Sequence, residues 1–214
     1  MLRGGHYWTH HKENLMRMRE YWQRRGKFLR ARWRAKKKNK DKYCEADGKI
    51  KKMFWSLHLP RKTYREGENY YGTFPEGFEK KLKELGLLNG KVVNLCSGMS
   101  ELGQIRVDIC SKTQATLFED ARHTSLPNEC ADFVMLDAYY SDEDYIKVGQ
   151  TPVSIYEFLQ EAVRICKNGG QIGVLHNRPP RKPKGTKLTH LIAISVGPDR
   201  LLRCFQVFKK VKEK

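Results

Sequence analysis

The sequence predicts an α/β protein: a mostly parallel sheet closing in a C-terminal antiparallel hairpin, preceded by a basic, largely helical N-terminal arm. Three observations predict it. From Val92 onward, short apolar runs alternate with helix and turn signals, the pattern of parallel strands joined by crossovers. Near the C-terminus, Leu191 to Val196 and Leu202 to Phe208 flank Gly197-Pro198-Asp199, a hairpin turn. Charge is also unevenly placed: residues 1–62 hold 20 Lys and Arg against 5 Asp and Glu, whereas residues 63–214 hold 22 against 19. The expected division is therefore a basic arm over 1–62 and a nearly neutral globular domain over 63–214.

The arm comes first in the chain. Asn14 to Lys38 lacks proline, and Leu15, Met18, Trp22, Leu29 and Trp33 recur at helical steps, giving a thin apolar stripe that Gly26 interrupts. Arg24, Arg25, Lys27, Arg30, Arg32, Arg34, Lys36, Lys37 and Lys38 surround it. Two readings stand: the aromatics dock on the main domain, or the basic face tracks nucleic-acid phosphates with Trp33 packing or stacking. The second is favoured, because each neutralised phosphate releases condensed counterions. Asp47-Gly48 marks a turn or linker, and Met53 to Leu59 reads as a short strand ended by Pro60. Thr73-Phe74-Pro75-Glu76 then looks like a helix start, with Phe78, Leu82 and Leu85 on one face and Gly86 as the stop.

In the second part, Val92 to Cys96, Ile105 to Ile109, Thr116 to Phe118 and Phe133 to Leu136 read as strands. Ser154 to Lys167 reads as a helix ended by a left-handed cap at Asn168-Gly169-Gly170, and Gln171 to His176 as the next strand. Only Met99 to Gln104 separates the first two of these strands. A parallel crossover normally takes a dozen or more residues, so the helix usual at this place is expected to be missing.

Several classes are excluded. No apolar run approaches the roughly 18 residues of a membrane span, and the N-terminus shows no apolar signal region. Six cysteines are scattered without a Cys-x-x-Cys pair, as expected of reduced thiols in a cytoplasmic protein. His6, His10 and His11 have helical spacing but no accompanying carboxylates or thiols, so no metal site is expected.

The stretch Ala131-Asp132-Phe133-Val134-Met135-Leu136-Asp137-Ala138-Tyr139-Tyr140 carries the chemistry. A buried strand ending in an acid and two aromatics delivers a hydrogen-bond acceptor and a stacking ring to the open edge of a sheet. Asp137-Ala138-Tyr139-Tyr140 resembles the Asp-Pro-Pro-Tyr motif of aminomethyltransferases acting on nucleic-acid bases, with both prolines absent. Residues 91–210 as a whole resemble a class I S-adenosylmethionine-dependent methyltransferase, which implies a Rossmann-like sheet and S-adenosyl-L-methionine as cofactor. Asn94, Cys96, Ser97 and Gly98 stand at that family's glycine-rich first cofactor motif, with Asn94 in place of the usual acid and Cys96 and Ser100 where glycines are frequent. By the resemblance, Asp108 accepts the ribose hydroxyls and Asp120-Ala121 meets the adenine.

By the same resemblance, Asp137 and a main-chain carbonyl orient the target amine, and Tyr140, or Tyr139 in a shifted loop, stacks on a flipped base. No cysteine is expected beside this strand end, which argues against attack on a ring carbon by a thiolate. Arg178 and Arg181, in a Pro-, Arg- and Lys-rich stretch after the fifth of these strands, read either as a second nucleic-acid contact or as a solvated loop. The expected activity is methylation of a base amino group of DNA, adenine N6 or cytosine N4. RNA as substrate, or an inactive nucleic-acid-binding scaffold, is the alternative.

Overall fold

The computed structural model describes residues 50–58, 72–139, 145, 151–196 and 202–212, all within the unit Gly48–Lys214. The apolar stripe and basic cluster of the arm, Arg24 to Lys38 included, lie outside the described residues, as does Tyr140. Among the described residues, eight strands form one sheet: β1 (Lys51–Ser56), β2 (Val92–Leu95), β3 (Ile105–Asp108), β4 (Leu117–Phe118), β5 (Ala131–Leu136), β6 (Cys166–His176), β7 (Thr186–Ser195) and β8 (Arg203–Lys210). Two helices accompany them, α1 (Phe78–Glu84) and α2 (Ile155–Ile165). The order across the sheet is β1-β7-β8-β6-β5-β2-β3-β4. Every pairing is parallel except those of β8, which runs against both β6 and β7. This is a Rossmann-like, mostly parallel sheet with a C-terminal antiparallel hairpin. β1 lies inside the segment 1–62 yet pairs with β7 along its whole length, so part of that segment belongs to the sheet.

The central strands are apolar on both faces because both faces are covered. On one face, α2 lays Phe158, Leu159, Ala162 and Ile165 against Val93, Leu95, Val134, Leu136, Ile172 and Val174. On the other, α1 buries Phe78 and Leu82 against Phe133, Met135, Leu175, Phe205 and Val207. An aromatic cluster fixes α1 to the sheet. Phe78 meets Trp55 of β1 at 6.0 Å and Phe205 of β8 at 5.2 Å, both edge to face, and Phe74 packs on Phe78 at 5.0 Å. Gly86 ends α1 in the left-handed region (φ 71°), where the Leu87 amide donates back to the Leu82 carbonyl.

Gly173, in mid-β6, has a steric reason. A Cβ there would stand 2.7 Å from the Phe133 ring and 2.8 Å from that of Phe205. Gly173→Ala should therefore destabilise the domain by about 1–3 kcal/mol through overpacking, read as a fall in the urea midpoint. An unchanged midpoint would mean that the two rings move apart freely.

Several boundaries differ from the sequence reading: α1 starts only at Phe78, and β7 already at Thr186. The helix ends earlier than expected: Cys166 is already extended (φ −71°, ψ 135°) and pairs with Ala131, so α2 passes directly into β6. Gly169 does take a positive φ (81°), but within β6 and beside a register shift against β5 rather than as a helix cap. The helix buries Glu161 and Ile165 and leaves Val163 half-buried. The missing crossover helix is as expected. Residues 96–104 link β2 to β3 without a helix, folded back by Gln104, whose amide donates to Val92 O and whose Oε1 accepts from Val92 N at 2.7 Å.

Candidate active site

From β2 the chain runs outward through β3 to β4, then returns to place β5 on the other side of β2. Such a reversal leaves the loops after β2 and β5 diverging, so a crevice opens above their carboxyl ends. Four stretches singled out in the sequence lie at this edge: Asn94 within β2 with Cys96 to Gly98 after it, Asp108 ending β3, Asp120-Ala121 after β4, and Asp137 to Tyr139 after β5.

The loop after β2 is tightly organised. Cys96 adopts φ 56° and Gly98 φ 53°, so the chain turns twice through left-handed backbone within three residues. The Ser97 amide donates to Val107 O (3.0 Å), and Met99 donates to Gly72 O (2.9 Å), drawing the segment before α1 across the loop. Asp108 closes it from β3. Its Oδ2 accepts from the Gly98 amide at 2.8 Å and its Oδ1 from the Cys110 amide at 2.9 Å. Each carboxylate oxygen has two acceptor directions, so Asp108 retains one on each oxygen, the arrangement a vicinal diol requires.

Buried polar atoms also await partners. The side-chain amide of Asn94 (0% exposed) and the hydroxyl of Ser97 (3%) have no hydrogen-bond partner among the described residues. Asn94 belongs to β2 and Ser97 to the loop after it, and buried polar groups in native proteins are almost always satisfied.

One expectation is corrected here. Cys96 does lie beside the Asp137 strand end, because β2 and β5 are neighbours with Leu95 opposite Leu136, and the Asp137 amide is 3.4 Å from Leu95 O. Burial, together with the charges of Asp108, Asp137 and Asp120, pushes its thiol well above the ordinary value, with Arg122 opposing only in part. A thiolate nucleophile is thus disfavoured by environment rather than by distance.

Beyond Asp137, Ala138 is buried, and the Tyr139 ring packs edge to face on Tyr145 at 5.1 Å.

Asp120 is more engaged than the sequence suggests. Its Oδ1 accepts from the Arg122 amide and Nε, both at 2.9 Å, and its Oδ2 from the same guanidinium. These bonds from Arg122 hold its carboxyl below the usual range. Arg122 also reaches Glu157 of α2 at 3.3 Å. Sequence reasoning missed Arg122 and Tyr145, and no local pattern flags either. Ile109, directly after the acid that ends β3, is a large apolar side chain left 52% exposed.

Arg178 and Arg181 follow the carboxyl end of β6, the strand beside β5, in a segment that then crosses to the opposite edge of the sheet, where β7 begins. No protein-family model matches the chain, and no curated protein matches it. Solved structures do. TrmN from Thermus thermophilus is 18% identical over 65% of this chain and 50% of its own, with TM-score 0.48. A SAM-dependent methyltransferase from Aquifex aeolicus is 16% identical over 63% of this chain and 89% of its own, with TM-score 0.40. One from Methanosarcina mazei is 12% identical over 61% of this chain and 98% of its own, also at 0.40. The chain thus matches half the length of the Thermus thermophilus protein.

Proposed function

We propose that this protein is an S-adenosylmethionine-dependent methyltransferase acting on an exocyclic amine of a nucleic-acid base. The observation that carries it is the placement of Asp108 and Asp137 on either side of the Gly98 loop, at the sheet's point of reversal. The residues present fit the cofactor. Asp108 has acceptor capacity left for both ribose hydroxyls, Gly98 leaves the loop backbone open to close approach, and Ser97 and Asn94 offer unsatisfied polar atoms. By the resemblance Asp120 and Ala121 meet an adenine edge, with Asp120 shared between that edge and Arg122. When bound, the cofactor supplies an electrophilic methyl group.

The chain's own residues do the rest. Asp137 accepts a hydrogen bond from the target amine and turns its lone pair toward the crevice; the Ala138 carbonyl is offered as a second acceptor, and Tyr140 as a face for the base. Fixing both reactants in one crevice removes most of the entropic cost of their encounter. The neutral Cys96 thiol takes no covalent part. The basic arm supplies sequence-independent affinity for phosphates. DNA is our preferred substrate, at adenine N6 or cytosine N4, and assay on both DNA and RNA decides between them.

A second reading, a nucleic-acid-binding scaffold without activity, is favoured by one feature: Asp137-Ala138-Tyr139 lacks the two prolines that would stiffen the loop. Calorimetric titration with S-adenosylmethionine and its demethylated product separates the two. Wild-type protein is expected to bind, and Asp108→Ala to bind more weakly by about 1.5–3 kcal/mol, the scale of hydrogen bonds to a charged group. No heat and no thermal shift at millimolar cofactor would remove the enzyme reading.

A further inference from the structure

Most arginines of the described domain are committed to the fold. Arg106 donates to the carbonyls of Gln114 and Gly103, Arg122 to Asp120 and Glu157, and Arg164 to Glu161, Asn128 and the Thr124 carbonyl. Arg203 is engaged as well. Arg178 and Arg181 differ: both are exposed, and neither guanidinium makes a hydrogen bond or ion pair among the described residues.

Their main chains, by contrast, are pinned. The Arg178 amide donates to Nδ1 of His176 at 3.0 Å, and the Arg181 amide donates to the Tyr156 hydroxyl of α2 at 2.8 Å. The rest of the loop is stiffened too. Pro179, Pro180 and Pro183 fix their φ angles, Pro183 is buried, and its carbonyl accepts from the Thr186 hydroxyl at 2.7 Å. Burial pushes the His176 pKa down, which keeps Nδ1 available as an acceptor at neutral pH.

A surface arginine that is merely solvated needs no such support. Two unspent guanidiniums on an anchored loop that starts from the edge carrying Asp137 form a preorganised site for phosphate oxygens. We propose that loop 177–185 is a phosphate clamp in which Arg178 and Arg181 hold the nucleic-acid backbone beside the base offered to Asp137. His176 and Tyr156 are the positioning residues that fix the clamp. The proposal rests on the nucleic-acid reading above, and it replaces the alternative of a solvated loop.

The test uses the full chain and fluorescein-labelled single- and double-stranded oligonucleotides, titrated over a range of salt concentrations. Arg178→Gln/Arg181→Gln should weaken binding about tenfold and flatten the slope of log affinity against log salt by about 1–2, at about 0.9 for each phosphate no longer neutralised. Tyr156→Phe keeps both charges and frees the loop. It should lower affinity about three- to tenfold with the slope unchanged, and titration with the demethylated cofactor should be unaffected in both variants.

An unaltered slope in the arginine variant, with cofactor binding intact, overturns the clamp alone. Wild-type protein that binds no cofactor while the slope still flattens overturns the methyltransferase reading and keeps the phosphate contact. Tyr156→Phe that melts lower but binds oligonucleotide normally overturns the positioning role. If the arginine variant instead loses binding to phosphatidylserine vesicles and retains nucleic acid, the partner is a membrane surface and the proposal falls.

Discussion

Asp137→Ala should lose methyl transfer by a factor of about 10²–10³, the effect of removing one preorganised polar group from a reacting centre. It should still bind S-adenosylmethionine, because the ligand's expected contacts come from β2, β3 and the turn after β4. The two effects separate because Asp137 belongs to the end of β5. Its amide is held toward Leu95 O of β2, so the backbone of the crevice persists when the carboxylate is removed. Asp137→Asn keeps an acceptor oxygen without the charge and should fall between the two. The measurement is transfer of labelled methyl to DNA and RNA, with nucleoside analysis of the product. Full activity in Asp137→Ala would show that the target amine is oriented elsewhere. Cofactor binding without transfer to any nucleic acid, in the wild-type protein, would favour the scaffold.

The sequence disclosed what depends on local pattern. Phe133 to Leu136 had to be a buried strand because four consecutive apolar residues sit between polar ends. Asp137 was legible as an edge residue because it is the first acid beyond such a run, whereas Asp108 was singled out only through the family resemblance. The reversed last strand followed from the hairpin turn, and the missing helix between β2 and β3 from the shortness of residues 99–104. Ser154, whose hydroxyl accepts from the Tyr156 amide, was readable as the start of α2.

Nonlocal pairing was not legible. Cys96 looked remote from Asp137 because 41 positions separate them, and only the β2–β5 pairing makes them neighbours. Asn168-Gly169-Gly170 looked like a helix stop because nothing local shows that Cys166 already pairs with Ala131. The burial of Glu161 depends on Thr124, in a loop far back in the chain, so no local pattern shows it.

That buried acid carries the largest expected effect on stability. Glu161 is 5% exposed, accepts from the Thr124 amide at 2.8 Å and from its hydroxyl, and pairs through both oxygens with Arg164. Arg164 extends the network to Asn128 and the Thr124 carbonyl, so the loop carrying Asp120 and Ala121 is clasped to α2 at its far end. Glu161→Ala leaves the Thr124 amide and hydroxyl without an acceptor and Arg164 without its counter-charge. Deleting one member of a buried pair costs about 3–5 kcal/mol, and the partial exposure of Arg164 lowers the expectation to about 2–4. Glu161→Gln keeps the shape and one acceptor oxygen and should cost about 1–2 kcal/mol.

The charge of Glu161 gives this cost a pH dependence. Burial alone would raise its pKa, but the hydrogen bonds from Arg164 and Thr124 outweigh burial and hold it below the reference value of 4.5. Its stabilisation is therefore fully present above about pH 4.5 and is lost as the pH falls through the lower folded-state value. Urea denaturation of wild type and Glu161→Gln should show a gap in stability at pH 7 that closes under acid. A gap of constant size down to about pH 3 would show that packing, and not the carboxylate charge, binds the Asp120 loop to α2. In that case Glu161→Gln would leave cofactor affinity untouched, whereas loss of the clasp should weaken it along with stability, since Asp120 and Ala121 ride on the loop that it holds.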